Sequence, residues 1–258
     1  MSWDPRQYLK FSGERLRPGF DLLAQVDELP PGPIYELGCG TGVHARAIAE
    51  RWPERKIVAL DNSRAMLAKA AAESSRVEWT EADIVGWRAP TPGAMIFSNA
   101  TLHWIMEHDG FFPHLLRQLA PGGVLAVQMP RNHDFQTHAL MRRVAAEGAW
   151  RERLAGAREA SPVKAPEFYY DLLAPRSAEF TIWETNYIQI MDGVQAIIAW
   201  LRGTGLRPFL ARLTEAERPV FLDRYAALLA EAYPAQADGK ILLPYPRLFF
   251  IASKPGCR

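Results

Sequence analysis

The sequence predicts an α/β fold in which a mostly parallel sheet carries helices on both faces. Between Pro33 and about Pro130, short apolar β-like runs alternate with stretches of helical periodicity, and this alternation is typical of parallel sheets wrapped by helices. A turn with three glycines in five positions, 38–42, follows the first of these runs. Beyond Pro130 the pattern changes to longer helical segments, which predict a helical cap.

Five strands and three helices are predicted in this first part of the chain. The first helix should end at Trp52, because the proline that follows disfavours helix in the residue before it. A turn is predicted at 119–123 from one proline and two glycines. The strands are expected at 34–37, 56–60, 76–80, 94–98 and 123–129, and the helices at about 42–52, 64–74 and 111–119.

The flanking segments add a lid and a cap to this core. An amphipathic helix is predicted from Ser12 to Val26, and we interpret it as a lid. Further helices are expected at 136–155, 192–202 and 214–233, and two β-like runs at 179–190 and 240–252 should share one edge of the sheet. The organisation expected is one domain, with a lid over 1–32, a core over 33–130 that carries the glycine turn, and 131–258 supplying the cap and the last two strands.

Composition disfavours several classes of protein. The chain has 30 Lys and Arg against 29 Asp and Glu, a net charge of +1, which gives no general field for nucleic acid or anionic membrane. Its two cysteines, Cys39 and Cys257, make no disulfide framework, and no His or Cys spacing indicates a metal site. We expect a cytoplasmic protein, because neither a secretory signal nor an 18-residue apolar stretch is found.

The glycine turn, in "ELGCGTG", predicts a ligand that approaches the backbone closely. Gly38, Gly40 and Gly42 follow a strand and open a helix, so backbone amides can meet the ligand with no Cβ in the way. Dinucleotide-binding turns have the spacing G-x-G-x-x-G. Here the third glycine comes one residue early and Val43 occupies its usual place, which disfavours a nicotinamide or flavin dinucleotide.

Acidic residues close the next two predicted strands. Asp61 ends the second strand, where a carboxylate can accept both hydroxyls of a ribose. In Glu81-Ala82-Asp83-Ile84, at the end of the third strand, Asp83 is placed to accept from an amino group while Ile84 covers a base. The alternative interpretation of both aspartates is a helix cap, because Asp is favoured at helix starts.

Five segments together resemble the class I S-adenosylmethionine-dependent methyltransferases: "ELGCGTG", "VALD", "EADI", "FSNATLHW" and "LAPGGVLAVQMP". The resemblance implies a Rossmann-like, seven-stranded sheet with a reversed final strand. It implies S-adenosylmethionine as the cofactor and S-adenosylhomocysteine as the product, with Asp61 at the ribose and Asp83 and Ile84 at the adenine. The expected cofactor-binding residues are Gly38, Cys39, Gly40, Asp61, Asn62, Asp83, Ile84 and Asn99.

Segments outside the core extend the resemblance to the trans-aconitate methyltransferase family. They include "WDPRQYLKFSGERLRPGFDLLAQV", "YYDLL", "AIIAWLRGTGLRPFL" and "ILLPYPRLFFIA", whereas 151–166 matches least. The resemblance implies methyl transfer to a carboxylate of trans-aconitate, giving a monomethyl ester. The expected partner is thus a small tricarboxylate, with no nucleic acid and no membrane, and the oligomeric state stays open, a monomer included.

Candidate substrate ligands lie in the lid and cap segments and after the fourth strand. Arg offers a bidentate fork suited to carboxylates, and Arg207 is the preferred candidate, with Arg17 next. His103 is expected to orient or partly neutralise the reacting carboxylate and Trp104 to wall the pocket, so the predicted catalytic residues are His103, Trp104 and Arg207. Each candidate has a plainer interpretation as a solvated arginine or a packed ring. The expected substrate-binding residues are Tyr8, Arg15, Arg17, Tyr169, Tyr170, Arg207, Tyr245 and Arg247.

Three other functions compete with this hypothesis. Carboxyl methylation of a malonyl group on an acyl carrier would favour a basic docking face, but acids are interspersed with the arginines. An RNA methyltransferase would favour basic stripes with exposed aromatic residues, and the net charge of +1 disfavours it. A noncatalytic protein that binds S-adenosylmethionine stays open, because it could keep the same donor-site residues.

Overall fold

The computed structural model describes residues 12–73, 75–157 and 162–256. Its described residues form a seven-stranded sheet with the order β3-β2-β1-β4-β5-β7-β6. Strands β1 to β5 pair in parallel and β7 runs antiparallel to β5, which confirms the predicted sheet with a reversed last strand. The strands are β1 (Ile34–Leu37), β2 (Ile57–Asp61), β3 (Val77–Glu81), β4 (Gly93–Asn99), β5 (Leu119–Pro130), β6 (Glu179–Met191) and β7 (Ile241–Ser253).

Burial along the strands explains why they lie where they do. Every residue of β1 and β4 is buried, as expected of central parallel strands that are covered on both faces. The register brings Asp61 opposite Glu81 and Asn99 opposite Gln128. Polar residues that end the parallel strands therefore meet at one edge of the sheet, where ligands bind in open α/β folds.

Helices follow most of the predicted periodic segments. Helix α2 stops before Trp52, as the following proline predicts, and α3 is capped by Ser63, whose Oγ accepts from the amide of Met66 at 3.4 Å. The helices are α1 (Ser12–Leu23), α2 (Val43–Arg51), α3 (Arg64–Ala71), α4 (His108–Arg117), α5 (Gln136–Ala145), α6 (Arg151–Leu154), α7 (Pro166–Leu173), α8 (Val194–Arg202), α9 (Arg207–Leu210) and α10 (Glu217–Ala232), with 3-10 turns at Leu102–Trp104 and Ala174–Arg176.

Two predictions of local structure are wrong. The segment 136–155 forms α5 and α6 instead of one helix, because Gly148 has a φ of +67° and the indole of Trp150 donates to the carbonyl of Val144 at 2.9 Å. The turn predicted at 119–123 lies inside β5. There the pairing with β4 shifts register, so the proline and glycines bulge out of a continuous strand.

Helix α1 is held firmly against the core. It packs on α2, β4 and β5, and Gly19 lies so close to His44 that an added Cβ would come within 2.3 Å of the ring. The imidazole Nε2 of His44 lies 3.0 Å from the carbonyl of Leu16. Arg51 donates to the carbonyl of Leu23, which ends the helix, and to that of Val26 just beyond it. These contacts fix the direction in which α1 crosses the sheet.

The chain divides into two compact units. The first comprises the described residues of 1–130, 162–185 and 247–258, and the second those of 131–161 and 186–246. Within the second unit, α5 and α8 pack against α10. The hydroxyl of Tyr225 donates to the carbonyl of Thr137 at 2.9 Å, which ties α10 to α5. The glycine turn and the ends of β1 to β4 all belong to the first unit.

Candidate active site

The glycine turn is pinned to the neighbouring strand by its own backbone. The amides of Gly38 and Cys39 both donate to the carbonyl of Leu60, at 2.8 and 2.9 Å. Gly38, Gly40 and Gly42 have φ values of +76°, +55° and +76°, a region that residues with a Cβ adopt only at a cost. The turn therefore leaves β1, folds tightly beside β2 and opens α2.

The three glycines have different neighbours. A Cβ at Gly38 would lie 2.1 Å from the side chain of Thr101, and one at Gly42 would lie 2.3 Å from the indole of Trp79. A Cβ at Gly40 would meet no atom of the described residues within 4 Å. Gly38 and Gly42 are thus required by packing inside the protein, whereas Gly40 faces open space among the described residues.

Asp61 joins this turn to the start of α3. Its Oδ2 accepts from the amide of Gly40 and its Oδ1 from the amide of Ser63, both at 2.8 Å. Each carboxylate oxygen keeps a second lone pair, so the residue can also accept from a ribose diol. The neighbouring Asn62 is exposed. Asp61 therefore joins two loops and is not the helix cap of the alternative interpretation, because Ser63 caps α3. It still suits the predicted ribose contact.

The end of β3 presents the predicted adenine residues. Asp83 is exposed, and its Oδ1 accepts from the amide of Val85 at 2.9 Å. Ile84 is partly buried against the core cluster. Glu81 is occupied by a 2.7 Å ion pair with Arg64, so Asp83 is the carboxylate of this segment that is available to a ligand.

A buried carboxyl group, Glu36, lies directly before the glycine turn and was missed by sequence reasoning. It is 1% exposed and its Oε2 has no hydrogen-bond partner in the described part of the chain. Burial raises the pKa of Glu36 to about 8, and the negative charge of Asp61 adds to this effect. A charged residue inside the apolar run "IYEL" was the signal that could have revealed it.

Glu36 and His44 form a buried pair in which both groups favour their uncharged forms. Their Oε1 and Nδ1 atoms lie 3.9 Å apart, within ion-pair range. However, burial also lowers the pKa of His44, so both groups favour their uncharged forms. The thiol of Cys39 is buried as well, and burial followed by the charge of Glu36 raises its pKa, which keeps it unreactive.

The loop after β4 is tied to the glycine turn on one side and to the core on the other. Thr101 donates through Oγ1 to the carbonyl of Gly38 at 3.1 Å. His108 is fully buried, and its Nε2 lies 3.1 Å from the carbonyl of Leu102. Since that carbonyl can only accept, Nε2 carries the proton, and Nδ1 accepts from the hydroxyl of Tyr169 at 2.7 Å.

This network positions the predicted catalytic residues His103 and Trp104. Their rings lie 4.7 Å apart, and Trp104 is 42% exposed. Tyr169, predicted to bind substrate, is wholly buried, and its hydroxyl also accepts from the amide of Lys164 at 3.1 Å. Tyr170, its neighbour in α7, is 56% exposed. The geometry gives Tyr169 a structural role and leaves its contact with substrate a prediction.

The predicted arginine ligands divide by burial. In the first unit, Arg15 of α1 is 6% exposed and Arg247 of β7 is 4% exposed. The Arg247 guanidinium lies 3.5 Å from Oε1 of Gln128, a buried residue that sequence reasoning missed. Arg17 is exposed and lies 3.6 Å from Asp21. Two of the predicted cations are therefore buried within the unit that carries the glycine turn.

The remaining predicted ligands lie elsewhere. Arg207 begins α9 in the second unit and is half-buried. Tyr245, also in the second unit, is 8% exposed, and its ring meets that of Trp200 at a centroid distance of 5.7 Å. Tyr8 lies outside the described residues. In the part of the chain that is described, no group of three or more His, Cys, Asp or Glu side chains could hold a metal ion.

Comparison with known proteins decides the family. A family model described as "Methyltransferase domain" matches residues 34–123. A curated trans-aconitate 2-methyltransferase of Azoarcus sp. (strain BH72) is 47% identical over 251 residues, which are 97% of this chain and 98% of that protein. The chain belongs to the trans-aconitate 2-methyltransferase family. Another member of this family, from Yersinia pestis (strain Pestoides F), is 48% identical over 97% of both chains.

Solved structures agree on the fold. A phosphoethanolamine N-methyltransferase 2 of Haemonchus contortus, in complex with S-adenosyl-L-methionine, matches with a TM-score of 0.52 and 19% identity. The match covers 93% of this chain and 52% of that one, so the chain spans about half the length of that protein. At this identity the likeness shows the fold alone. None of the described helices is both long and apolar enough to cross a bilayer.

Proposed function

We propose that the protein transfers a methyl group from S-adenosylmethionine to a carboxylate of trans-aconitate, giving its monomethyl ester and S-adenosylhomocysteine. Relatives with 47% and 48% identity over nearly the whole chain carry the name of this activity. The observation that carries the proposal is that one unit contains both a candidate donor site and buried positive charge. Gly40 faces open space beside the carboxylate of Asp61, and two buried arginines, Arg15 and Arg247, supply the charge.

The donor side of the site is built by the glycine turn and the ends of β2 to β4. Asp61 would hold the ribose diol, Asp83 the adenine amino group, and Gly40 would let the donor approach the backbone. When bound, S-adenosylmethionine supplies an activated methyl group on a positively charged sulfur. The fixed φ values of the turn mean that its amides are already oriented before the donor arrives.

The acceptor needs orientation more than proton transfer. A carboxylic acid with a pKa of about 4 is ionised near neutral pH, so its oxygen can attack without a general base. A C–O bond forms, the S–CH₃ bond breaks and its electron pair stays on sulfur. Aligning the two reactants can contribute about 7–11 kcal/mol. We assign this alignment to His103 and Trp104.

A dry, positively charged pocket suits this reaction. The attacking carboxylate and the sulfonium carry opposite charges that are lost on transfer, so a site with little water favours the step. A tricarboxylate also brings two carboxylates that do not react, and buried guanidinium groups can hold them. We place the reaction in the cytoplasm, which the unpaired, buried thiol of Cys39 supports.

A transfer assay tests the proposal. Radiolabelled S-adenosylmethionine is offered with trans-aconitate, cis-aconitate, citrate, malonyl carrier protein and bulk transfer RNA. Base-labile label in the trans-aconitate product is expected, with much less label from cis-aconitate if the arginines are fixed. Label in the carrier protein or the RNA alone would overturn the acceptor assignment. Binding of the donor with no labelled product from any acceptor would favour a noncatalytic binding protein.

Arg15 and Arg17 provide a matched pair on one helix. Arg15→Ala should raise the KM for trans-aconitate roughly 10-fold or more, because it removes a buried charge that can pair with a carboxylate. Arg17→Ala should change it less than about 2-fold, because its exposed guanidinium is screened by water. Equal effects of both substitutions on KM, or a change in donor affinity alone, would contradict this assignment of Arg15.

A further inference from the structure

Asn99 and Gln128 place two buried amides side by side at the carboxyl ends of β4 and β5. They are register partners in this parallel pair, and partners in neighbouring strands project to the same face of the sheet. Asn99 is 8% exposed and Gln128 is fully buried. Thr101, two residues after Asn99, packs against Gly38, so this position adjoins the glycine turn.

Each amide keeps one atom without a hydrogen-bond partner among the described residues. For Asn99 this atom is the acceptor Oδ1, and for Gln128 it is the donor Nε2. The two groups are complementary and lie on adjacent strands, yet they do not bond to each other. A buried polar atom without a hydrogen-bond partner is costly, so two of them on neighbouring residues call for an explanation, and a bound ligand would supply their partners.

Arg247 fixes the orientation of the Gln128 amide. Gln128 lies opposite Phe249 and Pro130 lies opposite Arg247 in the antiparallel pairing of β5 with β7, so the two side chains share a face. The Arg247 guanidinium donates to Oε1 of Gln128 at 3.5 Å. Reversing the amide would bring its NH₂ group against a cation. Nε2 is therefore the atom that is directed away from Arg247.

A second glutamine in the same unit, Gln118, provides a comparison, because its amide has only structural hydrogen bonds. Oε1 of Gln118 accepts from the amide of Ala89, and its Nε2 donates to the carbonyl of Trp87 at 2.8 Å. Both ends of that amide are satisfied within the fold. Gln128 is more deeply buried but only its Oε1 has a partner among the described residues. Packing alone therefore gives no reason for its free donor.

We propose that Gln128 is a specificity-determining residue, donating through Nε2 to a carboxylate of trans-aconitate that does not react, while Arg247 supplies the positive charge for that carboxylate. The inference rests on the proposed function. Asn99 presents an acceptor and would repel a carboxylate, so it suits a donor group such as the ammonium of S-adenosylmethionine. The two amides thus divide the site into a methyl-donor side at β4 and an acid side at β5 and β7.

Gln128→Leu tests the acid side, with Gln118→Leu as the matched control. Calorimetry on protein loaded with S-adenosylhomocysteine measures the binding of trans-aconitate and of three dicarboxylates that each lack a different carboxylate: itaconate, glutaconate and mesaconate. Gln128→Leu should weaken trans-aconitate binding roughly 10- to 100-fold. One of the three dicarboxylates lacks the carboxylate that Gln128 contacts. For that acid, wild type and Gln128→Leu should bind with nearly the same affinity, because the missing carboxylate and the missing amide remove the same interaction. Gln118→Leu should lower Tm but leave acid affinity unchanged.

The possible results separate the two proposals. If wild-type protein does not methylate trans-aconitate, the proposed function and this inference both fail. If it does, and Gln128→Leu weakens all four acids equally or weakens the donor as much as the acid, only the role of Gln128 is wrong. Gln128→Glu, a variant of the same shape, should retain the fold by pairing with Arg247 and lose acid binding by charge repulsion. Wild-type acid affinity in that variant would also overturn the inference.

Discussion

Replacing Glu36 by Gln should change how the stability of this protein depends on pH. The substitution keeps the shape of the side chain and removes its ability to ionise. Glu36 is almost fully buried in β1, and burial raises its pKa from an ordinary 4.5 to about 8. Between these two pH values the folded protein holds a proton on this residue that the unfolded chain releases.

The sign and size of the effect follow from linkage. Because the folded state binds the proton more tightly, the contribution of Glu36 to stability is complete below pH 4.5 and is lost as pH rises towards 8. Each pKa unit corresponds to about 1.4 kcal/mol, so the shift from 4.5 to about 8 amounts to roughly 5 kcal/mol. The free energy of unfolding of Glu36→Gln should lack this decrease.

Urea denaturation at half-unit steps from pH 4.5 to 9 measures the difference. Relative to wild type, Glu36→Gln should gain stability steadily across this range, with most of the gain below pH 8. Glu78→Gln is the control, because it removes the same charge from an exposed residue that pairs with Lys56 at 2.7 Å. If the profiles of wild type and Glu36→Gln are parallel, Glu36 is ionised in the folded protein and the neutral pair with His44 is wrong.

Two further predictions, with three substitutions, test the scaffold of the site. Gly42→Ala should unfold the protein more readily than Gly40→Ala, because its Cβ would overlap Trp79, whereas Gly40→Ala should mainly weaken the binding of S-adenosylmethionine; equal losses of Tm and donor affinity in both variants would contradict this. Tyr169→Phe should lower the free energy of unfolding by about 1–3 kcal/mol, because it leaves Nδ1 of the buried His108 without a donor. An unchanged urea midpoint would refute that assignment.

The residues proposed for the donor side could be selected from sequence because their signals are local. The three glycines, Asp61 and Asp83 are placed by short loops directly after strands, so their spacing along the chain fixes their spacing in the fold. In the structure the amide of Gly40 lies 2.8 Å from Oδ2 of Asp61. The family could also be recognised from sequence, since the segments that carry the resemblance cover nearly the whole chain.

The acid side depends on contacts between residues that are distant in sequence. Gln128 and Arg247 meet only because β7 reverses and pairs with β5. In the sequence each is one polar residue among many. The difference in burial between Arg15 and Arg17 also depends on tertiary packing. Residues two apart on a helix face different directions, and only the packing of α1 shows that Arg15 is the buried one.

The sequence by itself determined the α/β class, the glycine turn and the acidic residues that end the next strands, because periodicity and turn chemistry act over a few residues. The reversed last strand followed only from the family resemblance. Tertiary structure alone decided that Glu36 is buried beside His44, that 136–155 is broken at Gly148, and that Nε2 of Gln128 has no hydrogen-bond partner among the described residues. Burial and pairing depend on which elements pack together. These contacts join residues from distant parts of the chain, so they are known only when the pairing of the strands is known.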